Sequence, residues 1–311
     1  NGISVTANAG PVVFNGGLIR PGDNVDSTWN NDSTNAVVVN SRIDSWGNVV
    51  VTLSGSGGWI LNGQSWEDGT QWLGYNINAT NGIVRMNSSA NSHRGKTTVT
   101  AGTLLLGPGA TLGSTTTEVA VAGGALDLGG TAQTKRLATL SGGTVTNGVL
   151  TADVFDARAG TVSATLAGGA LTKTGAGAMT LSGANAYTGG TLVAEGELRI
   201  GAGGTSGSVM GGVTNNAALV FNRSDSAIFS GTLSGTGAVT QAGPGELVFC
   251  GTNACSGGTA VTGGRLTLGG WRFFDDFNRP NVAGTPDGRR IGPDYTMTSA
   301  TTNPAQFQIV N

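Results

Sequence analysis

Charge is scarce in this chain. Asp, Glu, Lys and Arg make up 11% of its 311 residues, 16 basic against 18 acidic, with a net charge of −2. That balance gives no basic face for a phosphate backbone, so nucleic acid is not an expected partner. Aromatics reach only 6%, and there is one histidine. A lone histidine cannot build a His-based metal cluster and allows at most one His-dependent triad. Eight prolines and no Gly-X-Y period exclude collagen. No apolar run reaches 18 residues, so no membrane insertion by this chain is expected. What is abundant is glycine, 55 residues, which disfavours helix by about 1 kcal/mol per position relative to Ala. With 38% hydrophobic residues there is still apolar surface to bury, so the composition reads as a long all-β chain with many turns.

Internal repetition is the strongest signal. Residues 171–201 read LTKTGAGAMTLSGANAYTGGTLVAEGELRIG, and residues 239–269 read VTQAGPGELVFCGTNACSGGTAVTGGRLTLG. They align without a gap at an offset of 68, with 13 of 31 positions identical. A shorter copy, NSHRGKTTVTAGTLLLG at 91–107, matches 185–201 at seven of 17 positions. Leu171/Val239, Met179/Leu247, Leu181/Phe249, Val193/Val261, Leu198/Leu266 and Ile200/Leu268 stay apolar in both long copies. Their neighbours exchange freely, as Glu197 does for Arg265 and Arg199 for Thr267. Apolar sites sharing a strand are two apart, the strand period, so one face is buried and the other wet.

Hairpins with Asn-Gly or Gly-Gly turns leave a sandwich or barrel open. A solenoid explains more: 68 residues is about three coils of roughly 22, each hiding its aliphatic face against the next. The segment at 171–201, with its second copy at 239–269, resembles the passenger-associated repeat of bacterial autotransporters. That resemblance implies a right-handed parallel β-helix on a secreted or surface-exposed bacterial protein. Cys255 and His93 stand where the motif at 171–201 has Tyr187, which marks a tolerant structural position.

The organisation reads as an N-terminal cap with the first coils over 1–90, a repeat-bearing β-helix over 91–270, and a non-repeat tail over 271–311. Five of six tryptophans, Trp29, Trp46, Trp59, Trp66 and Trp72, crowd into the first quarter. They read as a cap over the solenoid's end, with Trp59, Trp66 and Trp72 the candidates for a glycan-stacking platform, because indole offers a flat apolar face with a polar edge. The tail segment FFDDFNRPN resembles the opening of a concanavalin-like, laminin-G-type jelly roll. The tail is thus the start of a following domain or an end cap, and its apolar stretches could add a strand to a neighbouring copy's sheet edge. Asp275, Asp276 and Asp287 would contribute to a calcium site only in a complete jelly roll. Cys250 and Cys255, five apart, are a candidate disulfide and fit an oxidising compartment. The start at Asn1 without an apolar leader fits a mature secreted protein.

A search for chemistry finds little. Glu195 and Glu197 could sit on one strand face at a separation suited to glycoside hydrolysis, but Gly263 and Arg265 replace them in the next copy, which favours a solvated face. Asp153, Asp156 and Arg158 read as a surface ion pair, and Asp127, Asp225 and Glu246 are isolated. No catalytic, cofactor-binding or metal site is expected, and no cofactor. The readings in order are a non-catalytic extracellular structural or display rod, a stalk or fibre component that self-associates through its ends or tail; a carbohydrate-binding adhesin meeting surface glycans; and a β-helical polysaccharide-degrading enzyme.

Overall fold

A computed structural model describes residues 2–67 and 69–269, together with the backbone of the strands Arg290–Gly292, Tyr295–Ser299 and Gln306–Val310. The described residues form strands, turns and bends, with no helix long and apolar enough to cross a membrane. Two compact units divide at residues 169 and 170.

Unit 1 is a parallel β-solenoid. On its first face Gly2 pairs with Thr28, Ser27 with Val51, Leu73 with Val49, Tyr75 with Thr97, Thr97 with Val119, Glu118 with Leu137 and Leu137 with Val154. The coil therefore shortens along the unit, from 26 residues through 24 and 22 to 19 and 17. A second face begins at Val13–Phe14 and continues through Val37–Val39 and Trp59–Leu61. A third carries Leu18–Ile19, Arg42–Ser45 and Ser65–Glu67. Side chains follow the coil: wide coils bury Trp29, Trp59 and Tyr75, and the narrow ones bury Ala138, Leu140, Ala152 and Ala157 beside Phe155. A shorter loop of backbone encloses less cross-section, and close packing there sets the one large ring, Phe155, beside alanine.

Unit 2 repeats the plan at nearly constant width. Leu171, Thr191, Val213, Leu233 and Asn253 stack on its first face, 20 or 22 residues apart. Met179, Leu198, Leu219 and Val239 stack on the second, and Ala227–Phe229, Glu246–Phe249 and Arg265–Gly269 form the third. All twelve positions expected to face inward are buried, from Leu171 through Leu268. Phe221, Phe229 and Phe249 close a ring cluster with centroids 5.8–6.0 Å apart. At one corner a Cβ on Gly251 would run into the carbonyl of Gly231, which is why glycine holds that place.

The expected period needs one correction. Val239 lies in the ladder of Met179, while its repeat equivalent, Leu171, lies on the first face. Met179 and Leu247 are likewise equivalent in sequence but sit on the second and third faces. The offset of 68 is thus three coils of about 20 plus one face, not three coils of 22. The motif survives this rotation because each face asks only for alternating apolar residues between tight corners.

Polar side chains that point inward sit at the corners. Lys173 Nζ donates to the carbonyls of Thr174, Gly175 and Glu195 at 2.8, 2.6 and 3.0 Å. Its repeat equivalent, Gln241, donates to the carbonyls of Gly243 and Gly245, both at 3.0 Å. Lys135 donates to the carbonyls of Leu112 and Ser114 and to the Thr117 hydroxyl, and burial lowers its pKa to about 8. Outside, Asn15, Asn40, Asn62 and Asn87 form an amide ladder, each step 2.7 Å.

In the tail, Gln306–Val310 pairs antiparallel with Arg265–Gly269 of the same chain. The strand expected to reach a neighbouring copy's edge lies on the chain's own. The FFDDFNRPN segment and Asp275, Asp276 and Asp287 lie outside the described residues.

Candidate functional site

The third face of unit 1 carries a patch of unusual chemistry on its outer side. Ile19 pairs with Ile43, and Asp44 pairs with Trp66, so Arg20, Asp44 and Trp66 follow one another across three coils. Arg42 and Trp46 flank Asp44 two residues to either side. The Arg20 guanidinium carbon lies 3.6 Å from the Trp46 ring centroid, and that of Arg42 lies 4.7 Å from the Trp66 centroid. Guanidinium faces settle on indole faces through the ring quadrupole, which leaves the N–H edges free to point elsewhere. Both arginines reach Asp44 Oδ2, at 3.7 and 3.3 Å. Asp44 is 1% exposed although it stands on the outer side of its strand, because these side chains cover it. Its Oδ1 has no hydrogen-bond partner.

Other polar atoms without partners lie in the last of these coils and in the next one. They are Glu67 Oε2, Gln71 Oε1 and His93 Nδ1. Glu67 Oε1 accepts from the backbone N–H of Leu73 at 2.7 Å and from that of Arg94. Burial pushes the Glu67 carboxyl up, against those two N–H groups and the Arg94 charge. His93 is fully buried, held by Thr97 Oγ1 at 3.2 Å and by the edge of Tyr75, centroid 5.0 Å away. Burial, helped by the nearby Lys135 charge, lowers its pKa to about 3, so the ring is neutral. Tyr187 makes the same link four residues on, to Thr191 at 2.8 Å, and burial raises its phenol to about 12. At His93 and Tyr187 the shared slot is therefore a buried structural position that bonds a threonine, whereas Cys255 is only half-buried there.

The tryptophan platform expected from the sequence is not assembled as a set. Trp59 is fully buried and stacks on Trp29 at 5.9 Å, so it offers no face to a ligand. Trp66 is half-buried under Arg42, and Trp72 is 38% exposed. Among the described residues the most exposed indole is Trp46, at 53%, which was not one of the platform candidates. Its signal was present in the alternation Arg42-x-Asp44-x-Trp46, with Arg20 one coil earlier.

Cys250 and Cys255 are free thiols, so the expected disulfide is absent. They stand on either side of a corner between the third and first faces, and the Cys255 thiol donates to the Ser234 carbonyl at 3.3 Å. Burial raises the Cys255 pKa. Glu195 accepts from the Gly175 N–H at 3.0 Å, while Glu197 pairs with Arg199 at 2.6 Å. Their partners differ, and no paired-carboxylate site forms. Asp156 pairs with Arg158, Asp225 with Arg223 and Glu246 with Arg265, each at 2.7 Å. Asp127 accepts from Gly129 N–H and Asn147 Nδ2. Among the described residues no three His, Cys, Asp or Glu side chains gather as metal ligands would.

The architecture is that of a parallel β-solenoid whose faces carry a recurring corner-and-strand motif. Residues 81–106, 171–200 and 239–268 each match the passenger-associated-transport-repeat family. The chain is also similar to the adhesin BmaC autotransporter of Brucella suis biovar 1 (strain 1330), with 38% identity over 182 residues. That match covers 58% of this chain and 5% of the relative's length. No solved structure matches the chain.

Proposed function

We propose that this chain is a section of a non-catalytic, surface-displayed β-solenoid, a stalk or fibre component that spaces other modules from a bacterial surface. The observation that carries the reading is the match of three segments to a repeat of autotransporter passengers, each built as coils whose aliphatic ladders only neighbouring coils cover. The carboxylates weighed for chemistry support it, since Glu195, Glu197, Asp127, Asp156, Asp225 and Glu246 are each engaged by a neighbour. The test is display of the chain between an epitope tag and an outer-membrane anchor. A surface-accessible tag, with no new reducing ends from a panel of polysaccharides, is expected. Polysaccharide cleavage that purifies with the chain would overturn the non-catalytic reading.

A second reading, an adhesive module, draws on the relative's name as an adhesin and on the exposed Trp46 and Trp72 rings. Capture of a glycan array by the wild-type chain, lost in Trp46→Ala, would favour it over a purely spacing role.

A further inference from the structure

We infer that the Arg20–Arg42–Asp44–Trp46 patch on the third face of unit 1 is a binding site for carboxylated saccharides of the uronic-acid class. The inference rests on the adhesive reading above for its biological use. Two guanidinium groups converge on one carboxylate, so one positive charge is left over. Their side chains are 37% and 44% exposed, and stacking on indoles fixes their planes while leaving N–H edges toward solvent. A planar fork of N–H donors matches a carboxylate bidentately. Trp46, half open beside them, supplies the flat apolar surface on which a pyranose ring lays its C–H face. Asp44 is buried at the base, where its Oδ2 holds both guanidinium groups in place.

These two features select the ligand chemistry. A neutral sugar would leave the surplus charge unmatched. A glutamate peptide would satisfy the arginines but lay no ring face on the indole. A saccharide bearing a carboxylate uses both.

The probe is tetragalacturonate, titrated into the full chain while tryptophan fluorescence and heat are followed. Its methyl ester, a tetraglutamate peptide and the wild type at raised salt are the comparisons. Binding of the acid is expected, with quenched Trp46 emission, and affinity about tenfold weaker for the ester and for Arg42→Gln, the loss of one charge-assisted contact. Trp46→Ala, which touches no core residue's ladder, is expected to weaken binding without moving the melting temperature. Arg20→Lys keeps the charge and covers the case in which Arg42→Gln unfolds; it too is expected to weaken binding, because lysine lacks the fork. No binding of tetragalacturonate, equal binding of the ester, equal binding of tetraglutamate, or unchanged affinity in folded Arg42→Gln or Arg20→Lys each overturns the site. All of those results leave the display experiment untouched, so the failure of this site and the failure of the surface-rod reading are separable.

Discussion

The first coils of unit 1 and the coils of unit 2 are built on one plan and differ in what they hold. Between residues 2 and 97 a coil takes 22 to 26 residues; in unit 2 it takes 19 to 22. The longer coils enclose tryptophan, tyrosine and histidine, and among the described residues they contain all four buried polar atoms without partners. They also carry the arginine–tryptophan patch. Unit 2 encloses aliphatics with Tyr187 and one phenylalanine cluster, and its inward Lys173 and Gln241 are engaged with loop carbonyls. Extra backbone per coil thus makes room for indoles, which among the described residues no narrow coil encloses. Repetition at minimal width yields a scaffold, and departure from it yields a place where chemistry can reside.

That contrast can be broken. The largest effect belongs to Leu198→Asp, which puts a charge into the second-face ladder of unit 2 at a fully buried position. A loss of more than about 4 kcal/mol in urea unfolding is expected. Side-chain size should act in opposite directions in the two kinds of coil. Trp59→Ala should cost about 3–5 kcal/mol by opening a cavity, whereas in the narrow coils it is enlargement, Ala138→Leu, that should cost about 1–3 kcal/mol. Equal tolerance of both would show that coil width does not set core size.

A smaller effect is visible only against pH. The folded-state pKa of His93 is depressed from 6.5 to about 3, so between these values the unfolded chain binds a proton that the folded chain does not. Stability contributed by the neutral ring is present above pH 6.5 and is lost as pH falls towards 3. The wild type should lose about 5 kcal/mol more than His93→Gln across that window. Parallel pH profiles would show that His93 is hydrated or exposed. The smallest effect is for Glu195→Gln with Glu197→Gln, expected within about 0.5 kcal/mol, since Glu195 is exposed in the turn before Glu197–Ile200 and Glu197 lies on the wet side of that strand.

The parallel solenoid and its inward residues were legible because alternation survives at Met179/Leu247 and Leu198/Leu266 whichever face those residues occupy. Coil length was not legible from the offset of 68, since a repeat that rotates by one face looks in sequence like one that returns to the same face. Without coil length, contacts between coils stay hidden. Arg20 meets Asp44 and Asp44 meets Trp66 only through steps of 24 and 22 residues. The same holds for the asparagine ladder, although its members share a signal, an apolar strand end followed by Asn: Phe14-Asn15, Val39-Asn40, Leu61-Asn62 and Met86-Asn87. Lys135 and Lys173 went unnoticed because a lysine in an alternating strand reads as solvent-facing. Trp59 and the cysteine pair were misread because proximity in sequence says nothing about which side of a corner a side chain takes.

Stacking of successive coils in parallel register is tested most directly by disulfide trapping in a Cys250→Ser, Cys255→Ser background. Thr180 and Arg199 are register partners on the outer side of adjacent strands. Their Cα atoms should lie about 4.8 Å apart, within disulfide reach. Thr180→Cys with Arg199→Cys should cross-link rapidly under mild oxidation, and Thr180→Cys with Ala202→Cys, the partner a 22-residue coil would choose, should not. A cross-link in the second pair and none in the first would contradict the coil described here and every contact between coils derived from it.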